Sequence, residues 1–112
     1  MAAEAAVAMV EQGFTALKFD PAGPYTIHGG HQPAMTDISL SVEMCKAIRA
    51  AVGDRIDIMV EFHALWSVPM AKKLARVLAD YDTYWHEDPF RLHNLEDLVD
   101  YAAHSEAWVC AS

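Results

Sequence analysis

No apolar run in this 112-residue chain approaches the ~20 residues that a membrane-spanning helix needs. The opening residues, Met1-Ala2-Ala3-Glu4-Ala5-Ala6, carry no basic stretch ahead of an apolar one and do not read as a secretory signal. Basic residues are scarce. Eight Lys and Arg stand against sixteen Asp and Glu, a formal net charge of −8, which argues against nucleic acid or an acidic membrane surface as a partner. Such a balance suits metal cations better, although a solvated acidic surface also accounts for it. Cysteine is scarce too. Cys45 and Cys110 form no C-x-x-C and fall in different kinds of segment, so both are expected to be small buried hydrophobes in a reducing, cytoplasmic setting.

What is present is apolar material, 54% of the residues, enough for one small globular domain or part of a larger one. Ala3 to Gln12, with apolar residues at 6, 7 and 10, reads as a helix stopped by Gly13. Thr15 to Asp20 reads as a strand, and Pro21 to Met35, rich in Gly and Pro, as a loop. From Asp37 onward Leu40, Met44, Cys45, Ile48 and Val52 keep helical spacing up to Gly53. Asp57 to His63 is the second strand. Ser67 caps a helix whose stripe is Ala71, Leu74, Ala75 and Leu78, with Pro69 in its first turn. Thr83 to Glu87 is a third strand, ended by Pro89. Asn94 and Asp97 resemble a capping box opening a helix through Leu95, Leu98, Val99 and Ala102, and Trp108 to Ala111 starts a fourth strand.

Strands alternating with amphipathic helices over short turns imply an α/β fold of consecutive βα units around a parallel sheet. Side chains alternate along each strand. Glu61 therefore shares a face with Met59 and His63, while Ile58, Val60 and Phe62 meet the helices; Lys18 shares a face with Ala16 and Asp20. The polar residues gather at C-terminal strand ends, where parallel α/β folds place their sites. Twenty-six residues, about one βα unit, separate Glu61 from the Glu87 of "WHEDPF". Two carboxylates level with each other on neighbouring strands repel unless a cation lies between them, and Mg²⁺ favours such oxygen ligands. A strand-end ion pair of Lys18 with Glu61 is the plainer alternative.

"GFTALKFD", "MVEFHALW" and "WHEDPF" together resemble the enolase superfamily, in its mandelate racemase and muconate lactonizing branch. The resemblance implies part of a TIM-type (β/α)8 barrel. On that reading residues 1–112 span the second to fifth strands of a C-terminal-type barrel domain, without the capping domain and the remaining barrel. It further implies that Glu61 and Glu87 are two of three Mg²⁺ ligands, with the third one further unit on, just beyond Ser112. Where the family often has Lys-x-Lys this chain has Lys18-Phe19-Asp20, so a lysine base is not expected. Glu61-Phe62-His63 instead resembles acid-sugar dehydratases of the galactonate type, in which a histidine two residues past a metal ligand is the general acid. The implied chemistry is α-proton abstraction from a sugar acid, an enediolate stabilised by the metal, and loss of the β-hydroxyl. In that scheme His63 protonates the leaving hydroxyl, Lys18 steadies the substrate carboxylate, and the base is a histidine of a later strand.

Asp20, His28, His31 and Trp66 are further candidates for substrate contact, the two histidines lying in the loop after the first strand. His86 alternates away from Glu87 and reads as structural, His93 and His104 as surface residues, and Asp88 as a turn residue. The resemblance implies a homo-oligomer for the complete enzyme, and little activity for these strands alone. Two readings compete with a dehydratase: a racemase or epimerase of the same superfamily, and a non-catalytic α/β domain or binding module. Four parallel strands cannot close a barrel, so their exposed edges would invite self-association.

Overall fold

Ile58, Val60 and Phe62 are completely excluded from solvent, whereas Met59 and Glu61 between them are partly accessible. That alternation is the signature of a strand with one face against helices and the other turned away from them. A computed structural model describes residues 1–22 and 33–112, so His28 and His31 lie outside the described residues. The elements run α1 (Ala2–Glu11), β1 (Ala16–Phe19), α2 (Met35–Val52), β2 (Asp57–Glu61), α3 (Val68–Leu78), β3 (Thr83–Glu87), α4 (Leu95–His104) and β4 (Trp108–Cys110). All neighbouring strands are parallel, in the order β1-β2-β3-β4. The α/β fold of consecutive βα units is therefore present as expected.

Local chemistry explains where the helices begin. Ser67 accepts the Met70 N–H and Pro69 sits in the first turn of α3, while Asn94 accepts the Asp97 N–H at the start of α4. Each cap satisfies an amide that the helix leaves unpaired. The expected stripe of α3 is buried in full: Ala71, Leu74, Ala75 and Leu78. At the opposite end of the sheet from the carboxylates, the Arg49 guanidinium donates to the carbonyls of Gly53, Ile56, Tyr81 and Asp82. One side chain thus ties the end of α2 to the turns that lead into β2 and β3.

Several expectations need correction. Leu40 is exposed, and α2 packs through Ile38, Ser41, Cys45, Ile48 and Val52 instead. Ser41 can be buried there because its hydroxyl donates to the Asp37 carbonyl. In α4, Leu95 and Val99 are exposed, Ala102 is exposed and Leu98 is half-buried. Tyr101 is the buried residue of that helix, because its hydroxyl lies 2.6 Å from His86 Nδ1. Cys45 is fully buried, but Cys110 is exposed. Val109 packs on the core, which turns Trp108 and Cys110 to the other face of β4.

His86 is the polar centre of the helix-facing layer. Its Nε2 lies 2.8 Å from Thr83 Oγ1, and Phe62 meets its ring edge-on at 5.6 Å. Thr83 and His86 both face the helices because the β2–β3 register slips, Ile58 pairing with Thr83 and Met59 with Trp85. Burial lowers the His86 pKa from 6.5 to about 4, so the folded ring stays neutral. An unfolded chain binds a proton there below pH 6.5, and the folded chain binds it only near pH 4. This contribution to stability is complete above pH 6.5 and is lost progressively toward pH 4, on the order of 3 kcal/mol in total. Urea midpoints measured across that range should fall with pH, and His86→Gln should flatten the slope.

Candidate functional site

β2 and β3 end level with each other. Glu61 pairs in register with Glu87, and one level below them Lys18, Met59, Trp85 and Trp108 form a row across the sheet. Lys18 starts below the carboxylates, and its long stem carries the ammonium up between them. Nζ lies 2.7 Å from Glu87 Oε2 and 3.3 Å from Glu61 Oε2. The hydrogen bond to Glu87 is the main cause that raises the Lys18 pKa, with Glu61 adding to it, and the same bond holds the Glu87 carboxyl below its ordinary range. The position between the two glutamates is therefore one that accepts positive charge.

Asp88 belongs to the same group. Carboxylate oxygens of Glu61, Glu87 and Asp88 come within 4.8 Å of one another. These are hard oxygen donors, the kind that Mg²⁺ and Ca²⁺ take, and no thiolate or imidazole among the described residues joins the group. The donor set fits a hard divalent cation. Asp88 also keeps the turn role read from the sequence. Its carboxylate accepts the Ser112 N–H at 2.8 Å and the Ser112 hydroxyl at 2.6 Å. It was not among the candidate ligands, since in "WHEDPF" alternation assigns only one of two adjacent acids to the inner face.

The strand ends are held by a chain of backbone bonds. Phe62 N–H donates to the Glu87 carbonyl at 3.0 Å, Ala64 N–H to Asp88 at 2.7 Å, and Asp88 N–H to Cys110 at 2.8 Å. Among the described non-glycine residues, His63, Ala64, Asp82 and Asp88 have positive φ, and three of these four lie in this ladder. Left-handed backbone costs roughly 1–2 kcal/mol per L-residue and persists where the surroundings over-determine it.

His63 departs from expectation. It does not continue the inner face of β2, which ends at Glu61; its φ of 56° turns the side chain out of strand alternation. The imidazole nevertheless stays at the site. Nε2 lies 3.3 Å from Asp20 Oδ2, and Glu61 Oε1 accepts the His63 backbone N–H at 2.9 Å. Lys18, Asp20, Glu61, His63 and Glu87 are thus brought together. Trp66 is buried in the core cluster, bridges to Phe90, and borders a cavity with Arg91 and His93. Cys110 was missed. It pairs in register with Glu87, and the alternation of "WVCA" could have placed it on the inner face with Trp108.

Parallel βα units with acidic residues gathered at the C-terminal strand ends define a class, the α/β folds that carry their polar groups on that rim. The particular family follows from comparison. Residues 1–112 match the model described as enolase C-terminal domain-like, and the chain belongs to that family. A D-xylonate dehydratase of Haloferax volcanii is 37% identical over 103 residues, 87% of this chain and 25% of that protein. A D-gluconate dehydratase of Thermoproteus tenax is 31% identical over 105 residues, 94% of this chain and 20% of its own length. The crystal structure of a mandelate racemase/muconate lactonizing enzyme from Sulfitobacter superposes with a TM-score of 0.90 at 47% identity, covering 99% of this chain and 28% of that one. The chain spans a quarter or less of the length of these two curated relatives, and its parallel sheet is consistent with a piece of a TIM-type barrel. No helix among the described residues is long and apolar enough to cross a membrane.

Proposed function

We propose that residues 1–112 form the metal-binding half of the active site of a Mg²⁺-dependent sugar-acid dehydratase, acting on a small-molecule carboxylate. The observation that carries this reading is the in-register pair Glu61 and Glu87 with a cation, the Lys18 ammonium, between them. The sugar-acid dehydratases among the relatives support the reaction type.

Glu61 and Glu87, with Asp88 at the rim, would hold the ion. A divalent cation there supplies positive charge for the substrate carboxylate and for the charge that develops on it as the α-proton leaves. Lys18 moves from its two glutamates to the substrate carboxylate, where its ammonium adds a second positive group. His63, at the same strand end, delivers a proton to the departing β-hydroxyl. Asp20, in place of a second lysine, leaves α-proton abstraction to a base outside these strands, which favours dehydration over lysine-based racemisation. The third ligand and the base belong to further βα units.

The isolated chain is expected to give no substantial release of a 2-keto-3-deoxy acid from D-xylonate, D-gluconate or D-galactonate. Metal-dependent turnover by it at rates typical of enzymes would contradict this. The reaction type is tested by a chimera in which residues 1–112 replace the matching segment of the Haloferax enzyme. A chimera with cooperative thermal unfolding should dehydrate an aldonate, and His63→Asn should lower its kcat by about 100-fold or more. A folded chimera without turnover would sink the dehydratase reading.

A further inference from the structure

The imidazole of His63 lies between carboxylates of two neighbouring strand ends, 3.3 Å from Asp20 and 3.8 Å from Glu61. β2 stops at Glu61, and the left-handed turn of His63 and Ala64, with φ of 56° and 58°, swings the ring toward the end of β1. There Nε2 lies 3.3 Å from Asp20 Oδ2. The other Asp20 oxygen accepts the Ala22 N–H at 2.9 Å, so the carboxylate itself is fixed by the backbone that follows β1. On the other side Glu61 Oε1 accepts the His63 backbone N–H at 2.9 Å and lies 3.8 Å from Nδ1. The two ring nitrogens are thus unlike: Nε2 faces Asp20, and Nδ1 faces Glu61.

We propose that Asp20 is a positioning residue that fixes the orientation of the His63 ring and makes Nδ1 the nitrogen that addresses the substrate. An ionised carboxylate only accepts hydrogen bonds, and of the two carboxylates Asp20 is the nearer to a ring nitrogen, at 3.3 Å from Nε2 against 3.8 Å between Glu61 and Nδ1, so the proposal assigns the hydrogen of the neutral ring to Nε2. This is the arrangement by which a carboxylate holds an imidazole in one tautomer and one orientation. The assignment to substrate rests on the dehydratase reading; the orientation of the ring does not. In the step itself both ring nitrogens start with a hydrogen. The electron pair left when a base outside the chain removes the α-proton forms the Cα–Cβ double bond. The Cβ–O bond breaks, the Nδ1 proton passes to the departing oxygen, and water leaves. His63 ends neutral, with its Nε2 hydrogen still toward Asp20.

The position of Asp20 gives the departure from Lys-x-Lys a purpose. A lysine there would set a cation beside the imidazole instead of an acceptor for its Nε2–H.

The test reads the ring directly in the isotopically labelled 112-residue chain. Three-bond couplings about the His63 Cα–Cβ bond should report one staggered rotamer, and ring ¹⁵N shifts at alkaline pH should place the hydrogen of the neutral ring on Nε2. Asp20→Ala should average the couplings over rotamers, whereas Asp20→Asn, which keeps an acceptor oxygen, should preserve the single rotamer. Amide spectra of β1, β2 and β3 establish that each variant is folded; if Asp20→Ala is not, Asp20→Leu replaces it. In the chimera, Asp20→Ala should lower kcat by about 10- to 100-fold with KM little changed. Couplings unaltered in a folded Asp20→Ala or Asp20→Leu chain, or a wild-type ring with its hydrogen on Nδ1, overturn the proposal. A chimera without turnover but with the expected couplings would instead count against the dehydratase reading alone.

Discussion

Glu61→Gln and Glu87→Gln should each weaken Mg²⁺ binding to the chain by roughly 10- to 100-fold in calorimetric titration at neutral pH. Each substitution keeps the shape of the side chain and removes one charged ligand. The two carboxylates end level on adjacent parallel strands, so neither can take over the other's place without leaving its strand end. Lys18→Met supplies a contrast. Removing the ammonium that lies 2.7 Å from Glu87 and 3.3 Å from Glu61 leaves the carboxylates facing each other without compensation. Affinity for the divalent ion should then rise severalfold, because an internal competitor is gone. If Lys18, Glu61 and Glu87 formed only a structural ion pair, Lys18→Met would bring no gain, and the unaltered chain and both Gln variants would bind equally.

Phe62→Ala is expected to destabilise the chain by about 3–5 kcal/mol, read as a shift in urea midpoint at constant slope. A loss of that size is a large part of the roughly 5–15 kcal/mol that holds a domain of ordinary stability folded, so the urea midpoint should fall steeply. Phe62 is fully buried and meets the His86 ring edge-on. Its backbone N–H bonds the Glu87 carbonyl, so the residue that fills the core also links the strand ends that carry Glu61 and Glu87. A cavity there removes support from His86 and from the turn that carries His63. The exposed Leu40, which the helical spacing also singled out, should cost less than about 0.5 kcal/mol when changed to Ala.

The sheet was legible because its inner and outer faces differ chemically. Ile58, Val60 and Phe62 against Met59 and Glu61 mark the two sides of β2 without ambiguity. The stripe of α3 was legible for the same reason, having one apolar face and charges elsewhere. In α4 the pattern misled, since Leu95 and Val99 look as apolar as Leu98. What selects the buried face is Tyr101, whose hydroxyl answers a histidine on another element, and periodicity does not register a polar partner. The site divided along similar lines. Alternation placed Glu61 and Glu87 together, and strand-end position brought Lys18 near them. His63 was assigned to the strand because β-propensity runs through Phe62. Its left-handed turn depends on the Ala64–Asp88 backbone bond between two loops, a tertiary contact with no local signal. The pairing of Asp20 with His63 is likewise a product of two strand ends meeting across 43 residues of chain.

The central claim is that a hard divalent cation binds between Glu61 and Glu87, and a paramagnetic substitute locates it most directly. Mn²⁺ added in small amounts to the ¹⁵N-labelled chain should selectively broaden the amide signals of Lys18 to Asp20, Glu61 to His63, and Glu87 to Asp88. Gly53 to Arg55 and Asp82, in the turns that enter the strands from the other end, should stay sharp. Broadening centred on Asp54, Asp57 or Asp82, or spread evenly over the acidic surface, would contradict it.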